Sequence, residues 1–177
     1  MTKELENSLS EFRQVVDDSA RQWQAEGLPS RQVLEETAVK WVCLRNRLKI
    51  QGIFLQPPCM VTATLDDGLG QGMGIIEKYA AAIGMRLISL GLMVSPPVIV
   101  DACRRHRPEF LGMTILQFDS EEDLRSISEN LPGNTRIIAG GPVFRADPAF
   151  AARTGTHYAA RNVADFLRFM LDRACGG

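Results

Sequence analysis

Glycine, amide and carboxyl residues gather in three short segments, each of which directly follows a β-prone run of the sequence. The segments are Asp66–Gly72, Gln117–Asp119 and Gly140–Phe144. Glycine allows the backbone to approach another group closely or to adopt a positive φ. Polar side chains add directed hydrogen bonds. Segments of this composition are suited to holding a ligand against the main chain.

Catalysis by the chain alone is not indicated, because no Ser/His/Asp or Cys/His set falls in these segments. The two histidines, His106 and His157, stand elsewhere and are expected to be surface or packing residues. The four cysteines form no C-x-x-C pair, so we expect reduced thiols in a cytoplasmic protein. The adjacent acids Asp66 and Asp67 are expected to point apart rather than to share a cation.

The strands and helices that position these segments can be predicted from the sequence beyond Pro57–Pro58, where β-prone runs alternate with helical patterns. This alternation is typical of a parallel sheet covered on both faces. Five runs at this spacing predict a flavodoxin-like doubly wound α/β sheet with strand order 2-1-3-4-5. The predicted strands are 60–65, 86–90, 111–116, 136–139 and 156–159, and the predicted helices are 73–83, 97–105, 120–131 and 161–173.

In a sheet of this kind, ligands bind outside the carboxyl ends of the strands, where the strand order reverses. All three glycine-containing or polar segments follow strand ends, so they are expected to meet along one edge of the sheet. We call this the carboxyl edge. Any function of the α/β domain is expected there.

Residues 1–50 predict two helices that form a short hairpin. Apolar residues recur at steps of three or four over 5–23 and again over 34–48, and Ser30 is a plausible N-cap of the second helix. Two helices cannot bury both stripes alone, so they must pack on the rest of the chain or on a second copy, and we favour a homodimer. The predicted domains are a helical hairpin, 1–56, and an α/β domain, 57–177.

Three pieces of the carboxyl edge together resemble the signature of the B12-binding domain family, D-x-H-x-x-G followed by S-x-L and G-G. Asp67–Gly72 matches the first piece, Thr114–Leu116 the second and Gly140–Gly141 the third. The separation of the first two pieces matches that of the family, and the separation of the last two is slightly short. The resemblance covers residues 58–174 and implies the same flavodoxin-like fold.

The resemblance implies a corrinoid cofactor, cobalamin or a relative, whose ring faces the carboxyl edge and whose nucleotide tail enters a slot beside the sheet. It places Thr114 where the family has the serine that meets the base of the tail, and it places the paired glycines beside the tail. The residues implied to contact the cofactor are Asp67, Gly68, Leu69, Gly70, Gln71, Gly72, Thr114, Leu116, Gln117, Gly140, Gly141, Pro142, Phe144 and Tyr158.

The chain departs from the family at the residue that ligates cobalt. The family's histidine falls on Leu69, and no histidine lies anywhere in 59–72. Asp67 matches the aspartate that orients this histidine, and its other interpretation is a cap for the helix beginning near Gly72. If a corrinoid binds, we expect it to be base-off, without a protein histidine beneath the cobalt. No protein residue is therefore predicted as a metal ligand.

The resemblance implies a corrinoid carrier or sensor that serves a protein partner, either a methyltransferase or a reductive activator, in methyl-transfer chemistry. The alternative is a degenerate member of the fold that binds no corrinoid and acts as a regulatory or structural interaction module. The N-terminal helices also depart from the family, whose methyltransferase-type members carry a four-helix cap. Substrate, upper ligand and partner are not specified by the sequence.

Composition and motifs exclude several other classes. The 177 residues are 45% hydrophobic and 23% charged with a net charge of −1, so no basic surface for nucleic acid is expected, and no apolar run is long enough to suggest a membrane span. The first glycine segment reads G-x-G-x-G rather than G-x-G-x-x-G, and no acid ends the second strand, which argues against a dinucleotide site. A phosphoacceptor receiver would need an aspartate that the third strand lacks at its end.

Overall fold

The computed structural model describes residues 3–67 and 71–176, and these residues form two compact units. The first unit contains Met1–Pro57, Ile75–Arg86 and Asn162–Gly177, and the second contains Pro58–Gly74 and Leu87–Arg161. The division at Pro57 coincides with the point in the sequence where β-prone runs begin to alternate with helical patterns. Helices from the later part of the chain nevertheless group with the N-terminal helices.

The second unit is built on a five-stranded parallel sheet with strand order β2-β1-β3-β4-β5, which confirms the predicted topology. Hydrogen bonds from Leu90 N to Thr62 O and from Thr64 N to Gly91 O join the first two strands at 2.9 and 3.0 Å. The strands are β1 (Cys59–Thr64), β2 (Arg86–Ser89), β3 (Phe110–Thr114), β4 (Arg136–Gly140) and β5 (Tyr158–Ala159).

One face of the sheet packs on helices to form the core of the second unit. Alternate strand residues such as Val61, Leu111 and Ile137 are fully buried against helix residues such as Ile99 and Leu124. Each large aliphatic side chain buried in this way contributes about 1.5–3 kcal/mol. The helices of this unit are α4 (Pro96–His106), α5 (Glu121–Asn130), α6 (Val143–Ala146) and α7 (Phe150–Arg153).

The first unit is a group of helices with an aromatic centre. Trp23 and Trp41 stack with their ring centroids 6.1 Å apart, and Tyr79 contacts both rings edge-on. The Tyr79 hydroxyl donates a hydrogen bond of 2.8 Å to Leu34 O. The helices are α1 (Lys3–Glu26), α2 (Arg31–Arg47), α3 (Gln71–Ala82), which begins in the second unit, and α8 (Val163–Cys175).

The apolar stripes of the predicted hairpin are largely buried within the chain. On α1 the stripe from Leu9 to Trp23 is buried, in part because α1 packs along α8. Leu5 is an exception, since it is 38% exposed. Ser30 caps α2 as predicted, its hydroxyl accepting from Val33 N. The apolar faces of α1 and α2, which suggested a homodimer, are therefore mostly buried within the first unit itself.

Candidate cofactor-binding site

The carboxyl edge brings together Thr64, Thr114 and Gly140, which end β1, β3 and β4. The strand register pairs Thr64 with Thr114 and Thr114 with Gly140, so the three residues form a row across the sheet. Paired residues of neighbouring strands face the same side. Thr114 and Gly140 are partly exposed, whereas Thr64 is buried. We call these residues the Thr-Thr-Gly row.

The row lies on the sheet face opposite the core of the second unit. On β1, Val61 and Ala63 face the core, whereas Thr62 and Thr64 face the other way. The Thr64 side chain is 1% exposed, and its hydroxyl has no hydrogen-bond partner among the described residues. A buried, unpaired hydroxyl costs about 1–3 kcal/mol. The sequence interpretation missed Thr64.

The two glycines at the end of β4 lie against the protein's own backbone. Gly141 has φ +132°, and a Cβ built on it would stand 1.9 Å from Ile115 O. A Cβ on Gly140 would stand 2.9 Å from Ala160 O. Both glycines therefore have a structural role at the sheet edge, in line with the alternative interpretation of them as ordinary loop glycines. Their presence does not by itself require a ligand.

Asp66 joins the ends of three strands. Its Oδ2 accepts a hydrogen bond of 3.1 Å from Leu116 N, which follows β3. Its backbone oxygen accepts one of 3.2 Å from Met93 N, which follows β2. Asp66 is thus a structural residue of the carboxyl edge, and the sequence interpretation considered it only as a weak cation ligand. The neighbouring Asp67 is exposed.

The other predicted site residues are spread along the same edge. Gln117 is exposed after β3, Pro142 directly precedes α6, and Phe144 on α6 contacts Phe150 edge-on with ring centroids 5.4 Å apart. Tyr158 pairs with Ile138, so it lies two residues before the level of the Thr-Thr-Gly row. Gly72 is in the first turn of α3, only the backbone of Gln71 is described, and Gly68, Leu69 and Gly70 lie outside the described residues.

Exposed apolar side chains flank the carboxyl edge. Leu92 and Met93 follow β2 and are 46% and 72% exposed, and Phe118 follows β3 and is 50% exposed. Met93 has φ +54°, an uncommon conformation for a residue other than glycine. The Phe118 ring leans on Phe150 with centroids 5.7 Å apart. The edge therefore offers apolar surface beside the hydroxyl groups.

Both histidines lie at the opposite edge of the sheet. His106 ends α4 before β3 begins, and His157 directly precedes β5. His157 Nδ1 accepts a hydrogen bond of 3.1 Å from Ile137 N, and burial, together with the nearby Arg136, lowers its pKa. Among the described residues, no group of three or more His, Cys, Asp or Glu is arranged to hold a metal ion. Within residues 3–67 and 71–176, no helix combines the length and apolar character needed to cross a membrane.

The fold is a flavodoxin-like parallel sheet with helices at its N-terminus, and the solved structures that superpose on it include two corrinoid proteins. A cobalamin-binding protein from Desulfitobacterium hafniense DCB-2 superposes with a TM-score of 0.77 at 20% identity, covering 93% of this chain and 80% of that one. The Methanosarcina barkeri monomethylamine corrinoid protein superposes at 0.58 with 16% identity, covering 93% and 80%.

A third similar structure is the methanol:cobalamin methyltransferase complex MtaBC from Methanosarcina barkeri. Its TM-score is 0.63 at 14% identity, and the match covers 94% of this chain and 69% of that one. No protein-family model and no curated protein matches the sequence. At these identities the likeness establishes the fold, and the function has to be argued from the carboxyl edge.

Proposed function

We propose that this protein binds a corrinoid at its carboxyl edge and holds it for a protein partner. The observation that carries the proposal is the Thr-Thr-Gly row, in which a buried hydroxyl that has no partner among residues 3–67 and 71–176 stands beside a partly exposed one. A ligand with polar groups would pair these hydroxyls. The fold shared with corrinoid proteins supports the corrinoid as that ligand.

The residues at the edge fit the two halves of a corrinoid. The nucleotide tail carries a base with polar ring atoms, which suits the hydroxyls of Thr114 and Thr64. The broad ring has apolar faces, which suit the exposed side chains of Leu92, Met93 and Phe118. We therefore assign the tail to the Thr-Thr-Gly row and the ring to the apolar flank.

The proposal includes a corrinoid without a protein histidine ligand. Both histidines of the chain lie at the amino edge of the sheet, and Leu69 stands where the family has its histidine. Axial ligation is a main determinant of a metal's reduction potential, so a cobalt without an imidazole ligand would be reduced more easily. The cofactor would supply the methyl-group chemistry.

A role as a carrier or sensor follows from what the chain lacks at this edge. The described part of the carboxyl edge holds carboxylates, hydroxyls and apolar groups but no nucleophile paired with a base. We therefore propose that a partner, either a methyltransferase or a reductive activator, performs the reaction. One similar structure is a methyltransferase complex, which supports the first kind of partner.

The test is retention of a corrinoid by the purified full chain. We expect the protein mixed with hydroxocobalamin to keep the pigment after desalting, with a base-off visible spectrum and a raised melting temperature. Thr114→Leu, which replaces the hydroxyl with a larger apolar group at a partly exposed position, should reduce retention. Ser126→Leu, at an exposed position in the middle of α5, is the control and should retain the pigment.

Leu69→His tests the missing ligand, since it should shift the spectrum of the bound corrinoid toward that of imidazole-ligated cobalt. A wild-type protein that is colourless after desalting, with an unchanged melting temperature, would overturn the proposal. The second candidate function, an interaction module without a cofactor, would then stand. One observation favours it: the close packing of Gly141 on Ile115 accounts for a glycine at this position even if no ligand binds.

A further inference from the structure

The buried hydroxyl of Thr64 carries an inference about which corrinoid this protein takes, and this inference rests on the proposed function. We infer that Thr64 selects a corrinoid whose tail ends in a purine over one whose tail ends in 5,6-dimethylbenzimidazole. Thr64 and Thr114 would each bind one polar group of the same base. The geometry of β1 and β3 is the basis of this assignment.

Along the row, Gly140 on β4 comes first, Thr114 on β3 lies next to it, and Thr64 on β1 lies beyond Thr114. Gly140 and Thr114 are partly open to solvent, and Thr64, paired with Thr114, is 1% exposed. Neighbouring strands are about 4.8 Å apart, a separation that the two edges of one bicyclic base can bridge. A base that meets the Thr114 hydroxyl from the exposed end therefore presents its far edge to Thr64.

The far edge decides the selectivity. A hydroxyl can donate to a ring nitrogen or accept from an amine, and adenine offers both kinds of group. The far edge of dimethylbenzimidazole carries two methyl groups, which would leave the Thr64 hydroxyl buried and unpaired. Because an unpaired buried polar group is unfavourable, we expect the adenine-containing corrinoid to bind about tenfold more tightly or better.

The structure contains a matched control for this hydroxyl. Thr135 is also buried, at 3% exposure, but its hydroxyl donates a hydrogen bond of 2.7 Å to Pro108 O. It directly precedes β4 and so lies at the amino edge, away from the Thr-Thr-Gly row. Thr→Val substitutions at the two sites remove the same hydroxyl, which is hydrogen-bonded at Thr135 and has no partner among the described residues at Thr64.

The experiment measures dissociation constants of the full chain for two corrinoids that differ only in the base, adenine or 5,6-dimethylbenzimidazole. Wild type and Thr135→Val should prefer the adenine form about tenfold or more, and Thr64→Val should bind both forms equally. Without ligand, Thr64→Val should raise the melting temperature by roughly 2–4 °C, and Thr135→Val should lower it.

The outcomes separate this inference from the proposed function. If wild type binds neither corrinoid, the proposed function fails and this inference fails with it. If wild type binds both forms with equal affinity, or if Thr64→Val keeps the preference of wild type, corrinoid binding stands and the selectivity is overturned. A Thr64→Val protein that melts below wild type would show that its hydroxyl is paired within the protein, and this would also overturn the inference.

Discussion

A substitution at Gly141 tests whether the backbone at the end of β4 packs as closely on Ile115 as the structure shows. Gly141→Ala places a Cβ 1.9 Å from Ile115 O, whereas ordinary contacts of this kind are about 3.5 Å. The backbone also has φ +132°, which is unfavourable for alanine by about 1–3 kcal/mol. Because the contact is with backbone rather than with a flexible side chain, the sheet edge itself must move.

We expect Gly141→Ala to lower the free energy of unfolding by at least about 3 kcal/mol, a large share of the roughly 5–15 kcal/mol typical of a folded protein. For a chain of this size, the melting temperature should fall by roughly 6–12 °C. Thermal unfolding followed by far-ultraviolet circular dichroism without ligand measures this shift. The result is independent of any cofactor.

A series of glycines sets the scale for this prediction. A Cβ on Gly140 would be 2.9 Å from Ala160 O, so Gly140→Ala should destabilise by a smaller amount. A Cβ on Gly133 meets nothing within 4 Å, so Gly133→Ala should stay within about 0.5 kcal/mol of wild type. Equal melting temperatures for the three variants would refute the close approach of Gly141 to Ile115.

Two further predictions concern titratable side chains. Burial lowers the pKa of His157, so the unfolded chain binds this proton more readily, and the stability that depends on the neutral imidazole is lost as pH falls below about 6.5. Nuclear magnetic resonance titration should give a midpoint below that of the denatured protein, and His157→Ala should weaken the pH dependence of stability. Burial raises the pKa of the Cys103 thiol to about 12, so Cys103 should react with a disulfide reagent only after unfolding. Two thiols should react in the native protein and two should not, and fast reaction of all four would contradict the buried positions. The exposed pair is Cys43 and Cys175, and the buried pair is Cys59 and Cys103.

Sheet topology could be predicted from the sequence because each strand lies between two helical patterns, and the period of the apolar residues changes visibly between them. The observed strands agree with the predicted ones to within a few residues at their ends. Helices α6 and α7 were missed. Each has four residues, too few to show a helical period, and Pro142 and Pro148 make that stretch read as a loop.

The candidate site was predictable only where its residues belong to a recognisable motif. Thr114 and Gly140 were found because they belong to recognisable pieces at strand ends. Thr64 was missed because threonine is an ordinary strand residue, and its burial without a partner in the described part of the chain is a tertiary property. A usable signal existed in β1, where threonine alternates with apolar residues although every strand residue is buried. A buried strand with one polar face indicates that this face meets something other than an apolar core.

Residues at the carboxyl edge therefore fall into two kinds, and only one kind argues for a ligand. Gly141 and Asp66 are accounted for by contacts within the chain, with Ile115 O and with Leu116 N respectively. A protein of this fold would need such contacts whether or not it bound anything. No contact among the described residues explains why position 64 carries a hydroxyl, since valine would fill the same space without an unpaired polar atom. The physical case for a bound molecule thus depends on the residue that the family signature leaves out, and a substitution at Thr64 tests it more directly than one at the glycines.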